Sequence, residues 1–207
     1  MNYRIIGTGS HCNVILDICL ENNLNINKII HIGEFNSNPK FKNGFIIEQM
    51  SIQELKNLKK DNHKYVMAIG DDTKRNLIYN ETKKYLTYFN LISRESLISK
   101  KIKFGNSVFI NRGVIINTNV SLGSNVIINT GSILDHDTII GDNCHICPGV
   151  KIAGRVSVGS NVFIGIGATI IDGIKIGSNV IIGAGSVVLD NIPSNSKYVG
   201  SPARQVV

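Results

Sequence analysis

Asp135-His136-Asp137 and, nine residues further on, His145 stand in the stretch SILDHDTIIGDNCHIC, in a part of the chain dominated by Val, Ile, Leu, Gly and Asn. An imidazole with a carboxylate beside it is a pairing suited to proton abstraction, because the carboxylate raises the basicity of the ring and fixes its tautomer. The bland alternative is a solvated polar turn. A third histidine, His11, follows Gly7-Thr8-Gly9-Ser10 near the N-terminus. It opens an expected helix, where backbone N–H groups gather and favour an anion; here the alternative is an ordinary surface residue. Cys144 and Cys147 have C-x-x-C spacing, but no second pair completes a zinc site, and no metal is expected. With Cys12 and Cys19 they make four cysteines, which do not read as a disulfide framework.

The elements that must position His136 and His145 repeat every six residues. Stepping by six from Ile102 gives Val108, Val114, Val120, Val126, Ser132, Thr138, Cys144, Val150 and so on to Ser186, all small or β-branched. Stepping by six from Phe104 gives Ile110, Ile116, Leu122, Ile128, Leu134, Ile140, Ile146 and so on to Val188, all large and apolar. A helix with 3.6 residues per turn would scatter these positions, whereas residues two apart on a strand point the same way. Both series are therefore expected to face inward. Gly105, Gly123, Gly141, Gly159 and Gly177 add a beat of 18 residues, three hexads, which predicts a three-sided parallel coil over roughly 102–191. Each of these glycines is expected at a corner that needs positive φ.

The N-terminal half reads differently. Tyr3–Ile6 is a strand, a glycine turn follows, and Val14, Ile15, Ile18 and Cys19 fall at helical spacing. INKIIHIGEF and KYVMAIGDD are further strands, the last ending at Gly70, and a helix is expected around 72–86. This is a small βαβ nucleotide-binding unit. A dinucleotide site is not expected, because the third glycine of G-x-G-x-x-G is Cys12.

Of the 207 residues, 43% are hydrophobic and 18% charged, as in an ordinary globular protein, and no apolar run reaches the length of a membrane span. The N-terminus does not read as a signal peptide, and a cytoplasmic protein is expected. The net charge of +7 comes without a Lys/Arg block or any Trp. Nucleic acid is therefore not the expected partner, and small anions such as nucleotides are.

The hexad repeat, with the closing Gly200, Pro202, Ala203 and Arg204, resembles the hexapeptide-repeat acyltransferases. IGTGSHCNV, HIGEF, MAIGDDTKR and IINTGSILDHDTIIGDNCHICPGVKIAG are similar, in order, to blocks of one branch, the sialic-acid O-acetyltransferase-like sugar acyltransferases. That branch includes N-acetyltransferases of nucleotide-linked 4-amino-4,6-dideoxy sugars. The resemblance implies a small N-terminal α/β (Rossmann-like βαβ) domain over 1–90, binding a sugar nucleotide. It implies a C-terminal left-handed parallel β-helix over 91–207. It implies acetyl-CoA as co-substrate, a nucleotide-linked amino sugar as acceptor, and a homotrimer with sites between subunits. It implies His136 as general base with Asp137 as helper, and acceptor contacts at Ser10, His11, Cys12, Gly33, Glu34, Gly70 and Asn129. Contacts to acetyl-CoA are implied at His145, Gly154, Ile166 and Ala184. Gly33-Glu34 departs from the acidic pair common in relatives, which leaves the base unassigned. The other readings are O-acetylation of sialic acid or another sugar, and a non-catalytic nucleotide-sugar-binding scaffold.

Overall fold

The computed structural model describes residues 1–33, 41–58 and 62–206, and the chain divides into two compact units, Met1–Leu91 and Ile92–Val207. The first unit runs β1 (Asn2–Ile6), α1 (Ser10–Glu21), β2 (Asn25–Ile32), β3 (Phe41–Lys42), β4 (Phe45–Met50), α2 (Ile52–Asn57), β5 (His63–Met67) and α3 (Asp72–Thr82). Its sheet has the order β3-β4-β2-β1-β5, parallel except for the short β3–β4 pair. Tyr3, Ile5 and Ile6 of β1, Ile26, Ile29, Ile30 and Ile32 of β2 and one face of α1 (Cys12, Ile15, Leu16, Ile18, Cys19) are buried. Strand β4 and helix α2 have no counterpart in the sequence reading. Ser51 and Glu54 nevertheless carry a capping-box pattern: the Ser51 hydroxyl accepts from the Glu54 N–H, and the Glu54 carboxylate accepts from the Ser51 N–H. Helix α3 ends at Thr82, four residues before the expected end, where the Thr82 hydroxyl turns back onto the Ile78 carbonyl.

The second unit is a parallel β-helix of two-residue rungs. The first face stacks Leu97–Ile98, Ile115–Ile116, Ile133–Leu134, Lys151–Ile152, Thr169–Ile170 and Val187–Val188. The second stacks Lys103–Phe104, Ser121–Leu122, Ile139–Ile140, Ser157–Val158 and Lys175–Ile176. The third runs through Leu91–Ile92, Phe109–Ile110, Ile127–Ile128, His145–Ile146, Phe163–Ile164 and Val180–Ile182, and is closed by Ser196–Val199 and Arg204–Val206. Each rung pairs in parallel with the rung 18 residues on, as Ile139 with Ser157. The ladder is carried by bonds such as Ile139 N–H to Val156 O and Gly141 N–H to Val158 O, both 2.9 Å.

Both hexad series form the core, and the polar members of the small series are satisfied there. Ser132 donates to Cys147 O at 2.9 Å, Thr138 to Ala153 O at 3.2 Å and the Cys144 thiol to Gly159 O at 3.1 Å. Two expectations need correcting. The coil begins before Ile102, at Leu91–Ile92, two rungs ahead of Lys103–Phe104, because Asn90 hides the hexad there. Phe104, expected inward, is 38% exposed, since Lys103–Phe104 is the end rung of its sheet.

The third correction concerns the glycines. Gly105, Gly123, Gly141, Gly159 and Gly177 do not have positive φ. They are required because neighbouring coils approach too closely for a side chain: a Cβ on Gly141 would lie 2.7 Å from the carbonyl carbon of Gly159. The left-handed corner slots are filled instead by residues such as Asn125, Asn143, Asn161 and Gly131. Gly141→Ala is therefore expected to lower stability by about 1–3 kcal/mol through overpacking. Gly131→Asn, which meets open space and keeps an asparagine-compatible φ, should cost well under that. Equal melting losses for the two variants would contradict the close-approach account.

Candidate active site

His136 lies in the turn between Ile133–Leu134 and Ile139–Ile140, on the edge where the first and second faces meet. The coil fixes it from both sides. Asp135 Oδ1 accepts from the His136 N–H and from Asn117 Nδ2, each at 2.7 Å. Asp137 takes the left-handed corner slot at φ +58°, and its Oδ1 accepts from Asn119 Nδ2 at 3.1 Å. Asp137 Oδ2 meets His136 Nδ1 at 2.8 Å. The hydrogen bond from His136, and then that from Asn119, holds the Asp137 carboxyl below the usual carboxylate range. The bonds from Asn117 and the His136 N–H do the same for Asp135.

An ionised carboxylate only accepts, so in the neutral ring His136 Nδ1 carries the proton and Nε2 presents its lone pair. That nitrogen faces Gly154, one coil further on. A Cβ on Gly154 would sit 2.7 Å from both Nε2 and Cε1 of His136. The bare glycine thus makes the seat of the imidazole. Arg155 follows at φ +55°, in a slot where the coils on either side carry Asp137 and Gly173. A long side chain there costs about 1–2 kcal/mol of backbone strain. Its guanidinium pairs with Asp172 Oδ2, and neither residue was singled out from the sequence. The signal is visible once the register is fixed: a cation breaks a column of Asn, Asp and Gly.

The remaining residues named in advance do not gather at this edge. His145 is on the third face, half-buried and edge-on to Phe163 with centroids 5.4 Å apart. Asn129, Ile166 and Ala184 lie on the edge between the third and first faces, where Asn129 Oδ1 accepts from Asn111 Nδ2 and the Thr130 N–H, both at 2.9 Å. Ile166 is 60% exposed. One copy of the β-helix therefore carries a proton-accepting edge and a separate small-residue edge beside His145.

The first unit holds a cleft of about 430 Å³ at the C-terminal ends of β1, β2 and β5. Gly7 at its base takes φ +124°, and a Cβ there would meet Ala68 O at 2.6 Å. Ser10 and His11 line the cleft at the start of α1, whose cap residue Gly9 has no side chain to cap the helix. Gly70 lines it too, and a Cβ there would crowd the His11 Cβ at 3.3 Å. Cys12 does not: its side chain is fully buried and burial pushes the thiol up to about 11, so only its main chain is available to a ligand. Gly33 borders a neighbouring depression with Gln49 and Ser51, and Glu34 lies outside the described residues. The sequence reading missed Thr8, His31 and Lys74, which also line the cleft; Thr8 Oγ1 and His31 Nδ1 are 2.6 Å apart. The cleft suits a phosphorylated ligand, with helix N–H groups, a hydroxyl and a lysine around one space. Among the described residues no group of three His, Cys, Asp or Glu is placed to hold a metal ion, and no helix is long and apolar enough to cross a membrane.

Known proteins match both units. Residues 3–82 match the PglD N-terminal domain, and residues 119–154 and 155–190 match the bacterial transferase hexapeptide (six repeats). PerB from Caulobacter crescentus, solved in complex with CoA and GDP-perosamine, is 30% identical, with a TM-score of 0.90 over 100% of this chain and 98% of that one. A mutant of perosamine N-acetyltransferase from the same organism, also with CoA and GDP-perosamine, is 29% identical at a TM-score of 0.91, covering 100% and 97%. The acetyltransferase domain of PglB from Neisseria gonorrhoeae, in complex with acetyl coenzyme A, shares the fold at a TM-score of 0.89 and 24% identity, covering 99% and 98%. No curated protein sequence matches significantly.

The seat on Gly154 gives a direct test. Gly154→Ala should fold normally, because the atoms its Cβ strikes belong to the end of a movable ring. It should nonetheless lose at least about tenfold in acetyl-transfer kcat, since a displacement of about 1 Å at a reacting group carries such penalties. Full activity with an unchanged melting temperature would show that His136 does not need that seat.

Proposed function

The chain belongs to the hexapeptide-repeat sugar N-acetyltransferases, left-handed parallel β-helix proteins with a PglD-type N-terminal domain, and from that premise we propose that it is an acetyl-CoA-dependent N-acetyltransferase of a nucleotide-linked 4-amino-4,6-dideoxy sugar. The observation that carries the reading is the His136 imidazole, held by ionised Asp137 with Nε2 turned to the bare face of Gly154. A scaffold has no need of that tautomer.

His136 takes a proton from the acceptor nitrogen as it attacks, and Asp137 orients the ring and stabilises the imidazolium. Ser10, His11, Gly70 and the first turn of α1 hold the nucleotide phosphates, and Gly33, Glu34 and the Cys12 main chain complete that contact set. Acetyl-CoA supplies the thioester carbonyl. The edge with Asn129, Ile166 and Ala184, with His145 beside it, suits its narrow pantetheine arm: Gly165 and Gly183 keep the backbone flat there, and a Cβ on Gly165 would strike Ala184 N at 2.6 Å.

A homotrimer would bring the His136 edge of one copy beside the pantetheine edge of the next. Exposed Leu97, Ile139, Ile166, Ile171, Ile181 and Leu189 supply apolar surface for such packing. The cytoplasm, where acetyl-CoA and nucleotide sugars are both available, is the proposed setting. O-acetylation of a sugar hydroxyl is the second reading, since a general base serves either nucleophile.

Thiol release from acetyl-CoA with UDP-, dTDP-, GDP- and CMP-linked 4-amino-4,6-dideoxy sugars tests the activity. His136→Ala should lower kcat by about 10²–10⁴ with little change in KM for acetyl-CoA. His11→Ala should mainly raise KM for the sugar nucleotide, and His145→Ala that for acetyl-CoA. If the residues act across subunits, mixed oligomers of His136→Ala and His145→Ala should regain part of the activity. An active monomer in sedimentation would overturn the trimer.

A further inference from the structure

One column of the β-helix runs Thr118, His136, Gly154, Asp172 at 18-residue spacing, all on the edge between the first and second faces. Because Gly154 has no side chain, the column has a notch between His136 and Asp172. The point where a Gly154 Cβ would stand is 2.7 Å from His136 Nε2 and 3.1 Å from Asp172 Oδ1. Those two atoms are therefore less than about 6 Å apart, both close to the bare face of Gly154. The other oxygen of Asp172 is engaged by Arg155, which turns Oδ1 toward the notch.

We infer that Asp172 is a substrate-positioning residue that binds the acceptor amine and selects amines over hydroxyls. The inference rests on the N-acetyltransferase reading. A single nitrogen standing over the bare face of Gly154, within reach of both acceptors, bonds to each through one N–H. A neutral primary amine has two N–H groups and one lone pair. One N–H goes to Asp172 Oδ1, the other to His136 Nε2, and the lone pair is left to attack. The ammonium that arrives from solution loses its third proton to water on binding, and the negative Asp172 favours its capture. As the amine nitrogen bonds to the thioester carbonyl carbon, His136 Nε2 takes one N–H proton. The C–S bond then breaks, and the thiolate leaves with that proton. The remaining N–H, still on Asp172, becomes the N–H of the amide. A hydroxyl has a single hydrogen and satisfies only one of the two acceptors. Arg155, strained into its corner slot, is the positioning residue for the carboxylate.

The test is the ratio of kcat/KM for the best amino sugar of the UDP, dTDP, GDP and CMP panel to kcat/KM for the same nucleotide sugar with a hydroxyl in place of the amine. Both values come from one enzyme sample, so the ratio does not depend on how much of a variant is folded. Asp172→Asn should raise KM for the amino sugar by about 10–100-fold, the usual cost of a lost charge-assisted hydrogen bond, and leave KM for acetyl-CoA within about twofold. The amine-to-hydroxyl ratio should fall by a similar factor. Arg155→Met should move both quantities the same way by less. An Asp172→Asn enzyme with unchanged amino-sugar KM and unchanged ratio overturns the inference while the acetyltransferase reading stands. A wild-type enzyme that acetylates no amino sugar of the panel overturns both.

Discussion

The parallel ladder that hangs each coil on the next, with N–H groups bonding carbonyls 17 residues on, sets every distance at the candidate site. Stacked strands repeat at about 4.8 Å, so residues 18 apart in sequence stand one above another as rigidly as neighbours in a sheet. His136, Gly154 and Asp172 are brought into one column by this repeat alone. The glycine beat that permits the close stacking is therefore part of the site's machinery. A single inserted residue between His136 and Asp172 would rotate one against the other and close the notch.

The two units divide the work by chemistry. The first offers a cleft of main-chain N–H groups, a hydroxyl and a lysine, suited to phosphates and tolerant of the group they carry. The second offers side chains whose charges are fixed by the coil, with Asp137 held ionised by His136 and then Asn119, and Asp135 by Asn117 and the His136 N–H. A net charge of +7 on the chain favours association with anionic ligands such as sugar nucleotides and acetyl-CoA.

The β-helix was legible in the sequence because its period is unbroken and its two inward series differ in size, Val108 and Val114 against Ile110 and Ile116. Its beginning was not, since Asn90 interrupts the pattern at an end rung with less core to fill. The glycines were found for the wrong reason: both positive φ and close approach select glycine, and only coordinates separate Gly141 from Gly131. His136 and Asp137 were evident as polar intruders in an apolar rhythm. Asp172 and Arg155 were not, because an acid and a base on a surface turn look like solvation until the column they share is known. In the first unit, His31 was hidden in the strand INKIIHI, where a histidine between isoleucines gives no sign of which face it takes.

The account rests on His136 Nε2 accepting the proton of the acceptor nitrogen. Added imidazole tests this most directly in the His136→Ala enzyme, where the vacated seat on Gly154 admits a free ring. With acetyl-CoA and the best nucleotide-linked amino sugar, turnover by that variant should be low without imidazole and rise in proportion to the neutral form as imidazole is added. Turnover near that of the wild type in the absence of imidazole would contradict the account.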